Sequence, residues 1–277
     1  MKSIKALAAF VLGVMGMGKG FGLPALFLMM VVVLSLGAAA PAVSGAEFSE
    51  AELFLELNNT DGDLGLHGSF DGGPYTVLEI DDPKGRTILI IEAQGRLARQ
   101  SLTQLFLESA EPPFDELPPN VFFSRFPEGE YEISARTRTG EEFEATVELS
   151  HVLAAPVANI KVNGDDAAEN CDSDPLPVVN TNEPVTIDWD PVTTSHPDFD
   201  DPVVPVEIIR YQFFVEQGDL KFSADLIPDD TVDVTKFQVP SEIFALGDKT
   251  LPFKFEIIAR TATGNNTAIE NCFVVEP

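Results

Sequence analysis

Several oxygen-bearing side chains surround one glycine in the segment Asn58-Asn-Thr-Asp-Gly-Asp63. Carboxylates and amides in such proximity are ligands that calcium prefers. The EF-hand spacing is not met, because with Gly62 in its sixth position the first ligand would be Leu57. A tight Asp-Gly turn is one interpretation, and a calcium site of other geometry is the alternative. For that alternative we predict three ligands: Asp61, Asp63 and Asp71.

A second group of polar side chains lies in the segment Thr193-Thr-Ser-His-Pro-Asp-Phe-Asp-Asp-Pro202. Imidazole and carboxylate groups can bind a metal ion, and the phenylalanine among them could contact a partner. A solvated acidic loop is the simpler interpretation of the same residues. If this is a binding loop, the residues that we predict to act in it are His196, Asp198, Phe199, Asp200 and Asp201.

Motifs of catalysis are absent from the sequence. The three histidines, His67, His151 and His196, have separate contexts and lack the paired spacing of a zinc site. Neither a Gly-x-Ser-x-Gly elbow nor a phosphate-binding glycine loop occurs. We therefore predict no catalytic residue and no cofactor other than calcium. A hydrolase on a β scaffold stays an alternative, because carboxylates are abundant and two of them could meet in the fold.

A repeat indicates the elements that position these residues. Tyr131-Glu-Ile-Ser-Ala-Arg-Thr-Arg-Thr-Gly140 and Phe255-Glu-Ile-Ile-Ala-Arg-Thr-Ala-Thr-Gly264 match at seven of ten positions. In each copy, apolar residues alternate along a strand that ends in a Thr-x-Thr-Gly turn, which is typical of a β-hairpin. Self-similarity over this distance predicts two related domains, each closed by such a hairpin.

The second half carries a resemblance to a known family. Alternating Val185, Ile187 and Trp189 are followed by strand-like runs at 206–216 and 235–240 and then by the closing hairpin. This order resembles a fibronectin type III domain over about residues 157–277. The resemblance implies a seven-stranded sandwich used in binding, adhesion or spacing, with no active site shared by the family.

The first half is strand-like at 52–57, 75–80 and 87–91, with a strand or short helix at 101–108 and a helical turn within 118–126. The fold class that we predict is all-β, with two tandem β-sandwich domains of the immunoglobulin or fibronectin type III kind. The predicted boundaries are 1–46 for a signal peptide, 47–154 for an atypical sandwich and 155–277 for the fibronectin-like one. The mature chain contains Thr60-Asp-Gly-Asp63, Asp82-Pro-x-Gly-Arg86 and Phe126-Pro-Glu-Gly-Glu-Tyr131. With these segments it resembles exported bacterial proteins that carry a fibronectin-like domain.

The first 46 residues contain three lysines, no acidic residue and a long apolar run, and Ser44-Gly45-Ala46 resembles a cleavage site. We predict export to the periplasm or the medium. An uncleaved membrane anchor is the alternative, because the run 23–43 is long enough to span a bilayer. All 45 acidic residues follow this segment, against 14 of the 17 Lys and Arg. Such charge disfavours nucleic acid and anionic membrane as partners.

Both cysteines follow the signal segment. Cys171 lies where the second domain begins and Cys272 lies in its last strand. These positions adjoin in a sandwich whose first and last strands pair, and an exported protein folds in an oxidising compartment. The sequence therefore predicts a disulfide, which would stabilise the domain by up to about 4.7 kcal/mol in the chain-entropy model.

Together these features predict a non-catalytic interaction module of the periplasm or cell surface, with a protein or glycan as its partner. The alternatives are a calcium-dependent structural or carbohydrate-binding protein and a β-scaffold hydrolase.

Overall fold

Alternating apolar residues form sixteen strands and three short helices in the part of the chain that the structure, a computed structural model, describes: residues 45–180, 183–200, 202–229 and 234–276. Residues 1–44 of the predicted signal peptide lie outside the described residues. The all-β prediction is confirmed, and the described residues form one compact unit.

The first sandwich consists of two facing sheets. One holds β1 (Phe48–Asn58), β2 (Asp63–Tyr75) and β5 (Leu102–Glu108), and the other has the order β4 (Thr87–Glu92), β3 (Val77–Asp81), β6 (Gly129–Arg136) and β7 (Glu142–Leu149). The short helices α1 (Gly95–Gln100) and α2 (Pro119–Arg125) lie in connections. The core between the sheets includes Leu53, Leu55, Phe70, Ile80, Tyr131 and Ile133, each 2% exposed or less.

The second sandwich faces β13 (Leu220–Leu226), β12 (Ile208–Gln217), β15 (Phe253–Thr261) and β16 (Asn266–Val275) against β14 (Lys236–Val239), β11 (Val185–Asp188), β8 (Lys161–Val162) and β9 (Asp165–Asp166). The remaining elements are β10 (Val178–Val179), which pairs with β16, and α3 (Ser241–Phe244). Val185, Ile187 and Trp189 are buried in this core as their alternation predicts.

The repeated segments form hairpins in both sandwiches, as predicted. β6 pairs with β7 and β15 pairs with β16, both antiparallel. In the two turns the glycine has a positive φ, 87° at Gly140 and 94° at Gly264. The two threonines of each turn also hydrogen bond through their hydroxyls, at 2.9 Å and 2.8 Å. The matching residues of the repeat therefore form the same turn in both sandwiches.

The sequence did not predict that the two sandwiches share a sheet. β1 pairs in parallel with β16, with Glu56 opposite Asn266 and Asn58 opposite Ala268. This pairing joins three strands of the first sandwich to four of the second, and with β10 they make one eight-stranded sheet. One face of that sheet covers both cores, and the other face runs without interruption across the junction.

Buried side chains reinforce this junction. The Asn265 side chain is fully buried, accepts a hydrogen bond from the Leu55 N–H at 2.8 Å and donates to the carbonyls of Ser150 and Val152 at 2.8 and 3.0 Å. Thr267 donates its hydroxyl to the Ala154 carbonyl at 2.9 Å. The junction is therefore bonded by strand pairing and by side chains that reach across it.

Candidate functional site

The outer face of the shared sheet contains a groove of about 580 Å³ that crosses the junction. Alternation along the strands creates it: Leu53, Leu55 and Leu57 point into the core, so the residues between them face outward. The groove is lined mainly by charged, amide and aromatic side chains from β1, β2, β5, β12, β15 and β16, including Glu50, Glu52, Phe54, Glu56, His67, Gln104, Phe106, Glu108, Arg210, Gln212, Arg260 and Asn266.

Arg260 lines the groove from the second sandwich, where two residues of β1 hold its side chain. Its side chain donates to Glu52 at 2.8 Å, and its guanidinium carbon lies 4.6 Å from the centroid of the Phe54 ring. The residue is only 5% exposed. Burial lowers the pKa of Arg260, and the neighbouring Glu52 carboxylate opposes that change. The ion pair and the ring contact together fix the guanidinium in one position.

His67 also lies beside Phe54, with 5.5 Å between the two ring centroids. Its Nε2 is 2.7 Å from Glu111 Oε1, so this nitrogen carries the proton that the carboxylate accepts. Burial disfavours the charged imidazole, but the hydrogen bond to Glu111 and the charges of Glu56 and Glu108 outweigh it, so the pKa of His67 is raised. The groove thus holds an imidazole that favours protonation.

Two buried polar atoms at the groove have no hydrogen-bond partner among the described residues. Asn266 donates to Glu56 at 2.7 Å, but its Oδ1 is unpaired, and so is Nε of Arg210. Buried polar atoms are paired in most proteins, so these two mark unused bonding capacity. Phe106, by contrast, is 74% exposed at the edge of the groove.

A cluster of carboxylates continues the same face beyond the groove. Glu256 lies directly opposite Glu270 in the β15–β16 pair. Burial and then the charges of Glu270 and Glu56 raise the pKa of Glu256 to about 7. Lys254 lies 2.9 Å from both Glu216 and Glu270. At the start of β2, burial and then the charge of Glu111 raise the pKa of Asp63 to about 6.

The three predicted calcium ligands are not brought together. Asp61 lies in the turn after β1, where its backbone N–H donates to Asn58 Oδ1, and Asp63 begins β2. Asp71 lies eight residues further along β2, about 26 Å away at the rise of a strand. Among the described residues, no three His, Cys, Asp or Glu side chains are grouped as a metal site requires. The segment forms the tight turn that was the other interpretation.

The predicted binding loop needs a correction, because it folds onto the first sandwich. His196 is 4% exposed, and its Nε2 lies 3.0 Å from Asn59 Oδ1. The ring of Phe199 packs against Phe114 and Phe123, with centroids 6.2 and 5.9 Å apart. The backbone N–H of Asp198 donates to His196 Nδ1, and one carboxylate oxygen of Asp200 is buried. The last residue of the prediction, Asp201, lies outside the described residues. The aromatic ring that was predicted to meet a partner meets this chain instead.

The three histidines have different hydrogen-bond partners, although the rings of His151 and His196 pack on two neighbouring rings, Phe123 and Phe199. His67 contacts Glu111, His151 Nε2 lies 2.7 Å from the Phe126 carbonyl, and His196 contacts Asn59. Each histidine therefore has a structural partner of its own.

Cys171 and Cys272 form the predicted disulfide, with 5.0 Å between their Cα atoms. It links the loop before β10 to β16, near the hydrogen bond from the Asn271 side chain to the Ala168 carbonyl at 2.9 Å. The bond therefore fixes the beginning of the second sandwich to its last strand.

Sequence reasoning missed Arg260, Phe106 and Asn265. Arg260 belongs to the repeat, where it matches Arg136, and its counterpart in the first sandwich is exposed. Asn265 begins an Asn-Asn-Thr segment that also suits a turn. Nothing local distinguishes Arg260 and Asn265, because their partners are more than 100 positions away in the chain.

The fold and the groove define a β-sandwich protein with a polar face across two sandwiches. No family model matches the chain, and no curated protein matches its sequence. Among solved structures it is similar to a tetra-tandem repeat from the extending region of a large adhesion protein, with 14% identity, 82% of this chain and 50% of that chain covered, and a TM-score of 0.26.

It is also similar to a structure of a bacterial ice-binding adhesin, with 12% identity, coverage of 82% and 65%, and a TM-score of 0.25. A third is the immunoglobulin pair of DIP-gamma, with 9% identity, coverage of 82% and 98%, and a TM-score of 0.22. This chain thus spans half of the first structure and 65% of the second.

None of the helices in the described ranges has the length and apolar character needed to cross a membrane.

Proposed function

We propose that this chain is a non-catalytic, adhesion-type binding module of the secreted or periplasmic compartment, and that the groove of the shared sheet holds its protein or glycan partner. The groove carries this proposal, because it collects fixed charges and an exposed aromatic ring on one face of a continuous sheet. Export is supported by the leader-like sequence and the disulfide. Retention by an uncleaved N-terminal anchor would leave the groove unchanged.

The groove has the composition of a recognition surface. Arginine and aromatic residues contribute most of the energy in many interfaces, and Arg260, Arg210 and Phe106 all line it. Its amides and carboxylates can exchange hydrogen bonds with hydroxyl or peptide groups. Because Arg260 is held by Glu52 and Phe54, little side-chain entropy is lost when a ligand binds to it.

The groove carboxylates support binding over hydrolysis. Glu50 accepts a hydrogen bond from Ser69, Glu52 from Arg260 and Glu56 from Asn266. A hydrolase needs one carboxyl that keeps its proton beside one that is ionised, across a substrate site.

Glu256 and Glu270 are a neighbouring pair, but they lie outside the groove lining. The cavity of about 210 Å³ next to Glu256 is lined by the Glu216 carboxylate and not by Glu270. Glu216 forms ion pairs with Lys221 at 3.3 Å and with Lys254 at 2.9 Å. The carboxylate that shares a cavity with Glu256 is therefore already bound to two lysines.

The test is quantitative binding of the whole exported chain to a glycan array and to purified envelope fractions. The groove variant is Arg210→Ala with Gln212→Ala, two outward positions on β12 that are remote from the β5 end of the groove. The matched control is Lys236→Ala with Gln238→Ala, which has the same spacing on an exposed strand of the opposite sheet. Circular dichroism confirms that both variants fold.

We expect the groove variant to bind at least about tenfold more weakly, as the loss of one hydrogen bond to a charged group predicts. The control should bind like the unmodified chain. Equal binding by the two variants, or the absence of any saturable ligand for the unmodified chain, would refute the proposal.

A further inference from the structure

Strand β5 forms an open edge of the eight-stranded sheet. Among the described residues it pairs with β2 alone, with Ser69 opposite Phe106 and Phe70 opposite Leu105. The Ser109 N–H donates to the Leu66 carbonyl at 2.9 Å. Because antiparallel bonding alternates along the strand, the odd-numbered residues of β5 bond to β2. The backbone groups of Gln104, Phe106 and Glu108 therefore point to the open side.

This edge has fewer of the features that keep edge strands from pairing. Its pairing with β2 shifts register between Leu102 and Gln104, but from Gln104 to Glu108 the register is regular, with no proline, no lysine and one carboxylate, Glu108. Edge β4 has a register shift near Thr87, and edge β7 presents exposed Glu142, Glu144 and Glu148. β5 instead presents Phe106, which is 74% exposed. A regular edge with an exposed aromatic ring is a template for another strand.

The charges on either side of β5 are opposite in sign. Helix α1, just before the strand, has exposed Arg96 and Arg99 and no acidic residue. The segment 108–116, at its other end, has four acidic residues and no Lys or Arg. Two antiparallel copies of this strand would place the basic end of each beside the acidic end of the other. A strand in parallel orientation would place like charges together.

We propose that β5 pairs antiparallel with β5 of a second copy of this chain, with Phe106 opposite Phe106 across a two-fold axis. In this register Gln104 lies opposite Glu108 of the other copy, and Leu105 lies opposite Leu107. The residues with open backbone groups face each other, so Gln104, Phe106 and Glu108 of the two strands form six backbone hydrogen bonds. Both phenylalanine rings become partly buried as a cross-strand pair.

The two Glu108 side chains stay apart in this arrangement. They are offset by four residues, about 14 Å along the strands, and each lies beside a neutral amide. The interface is self-complementary, as a two-fold symmetric dimer requires. It would join two eight-stranded sheets edge to edge and bring two grooves onto one surface. This inference goes beyond the proposed function, because the dimer forms whether or not the groove has a ligand.

The register is tested by disulfide trapping in the full exported chain. Gln104→Cys and Glu108→Cys are made as separate variants, mixed and oxidised mildly. Paired residues of this bonding type have Cα atoms about 5.5 Å apart, within reach of a disulfide, whereas two Gln104 positions would be about 14 Å apart. We expect cross-linked heterodimer in the mixture and none from the Gln104→Cys variant alone. The reverse result, or equal cross-linking of both samples, would overturn the register.

The interface itself is tested by mass measurement with light scattering at about 100 µM, a concentration that detects micromolar association. We expect the unmodified chain to be dimeric, and the mass is measured over a range of salt concentrations because salt weakens both the attraction across β5 and the repulsion between two acidic copies. Phe106→Lys should raise the dissociation constant at least tenfold. Leu246→Lys is the control, since Leu246 is also 74% exposed but lies in the other sandwich. A monomeric unmodified chain at all salt concentrations, or equal weakening by both lysines, would refute the proposal.

Discussion

Replacing Asn265 by alanine should destabilise the junction between the two sandwiches more than any change at an exposed position. The side chain is fully buried, and its removal leaves the Leu55 N–H and the Ser150 and Val152 carbonyls without their partner. A buried backbone group that loses its partner costs about 1–3 kcal/mol. Three such groups cost about 3–5 kcal/mol if water reaches some of them, which is a large part of the 5–15 kcal/mol typical of a domain.

For a chain of this size, 1 kcal/mol corresponds to about 2–4 °C, so we expect the melting temperature to fall by about 6–20 °C. Differential scanning calorimetry on the unmodified chain and the variant measures this change. Weakening the junction should also broaden the transition or split it in two, because each sandwich has its own core. Asn170→Ala, at an exposed turn, is the control and should change the free energy of unfolding by less than about 0.5 kcal/mol. A fall below 2 °C for Asn265→Ala, or an equal fall for the control, would show that these hydrogen bonds do not hold the junction.

Three further predictions concern pH, the disulfide and calcium. Glu256 and Asp63 have pKa values in the folded chain, about 7 and about 6, that exceed their ordinary values of 4.5 and 3.8. The folded state therefore binds more protons, and these groups should lower stability as pH rises from about 4 to 7. Glu256→Gln should raise the free energy of unfolding at pH 8 by about 1–2 kcal/mol and flatten this pH dependence. The control, Glu207→Gln at an exposed position, should change neither. Identical pH profiles for both variants would contradict the raised pKa of Glu256. Replacing Cys171 and Cys272 by alanine should cost about 2–5 kcal/mol in a denaturant titration, and an unchanged midpoint would exclude a stabilising role for the bond. Because the three predicted ligands lie apart, millimolar calcium and a chelator should give the same melting temperature, and a saturable rise with calcium would disprove this.

The sequence predicted the features that depend on short-range patterns. The two hairpins follow from alternation and a Thr-x-Thr-Gly turn, and the burial of Trp189 follows from its place in an alternating strand. The segment 101–108 was ambiguous between strand and helix, and pairing with β2 makes it a strand. Local pattern was sufficient for these elements, but it missed β2 and β13, although each of them pairs with its neighbour in the chain.

The candidate site was not predictable in this way. The groove depends on the pairing of β1 with β16, which are about 210 residues apart and have no pattern that specifies each other. The acidic loop with Phe199 has the composition of a solvated loop, but rings of the first sandwich bury it. Asp71 is close to Asp63 in the sequence, but both lie in the extended strand β2, which places them about 26 Å apart. Long-range pairing decided each of these outcomes.

The parallel pairing of β1 with β16 has a mechanical consequence. The chain enters β1 at one end of the pair and leaves β16 toward the opposite end, because parallel strands run in the same direction. A force applied between these two points would slide one strand along the other, so the bonds at Glu56 and Asn58 would share the load instead of opening in sequence. The fold is therefore arranged to resist stretching at the place where its two halves meet, and pulling single molecules from residues 45 and 276 would measure that resistance.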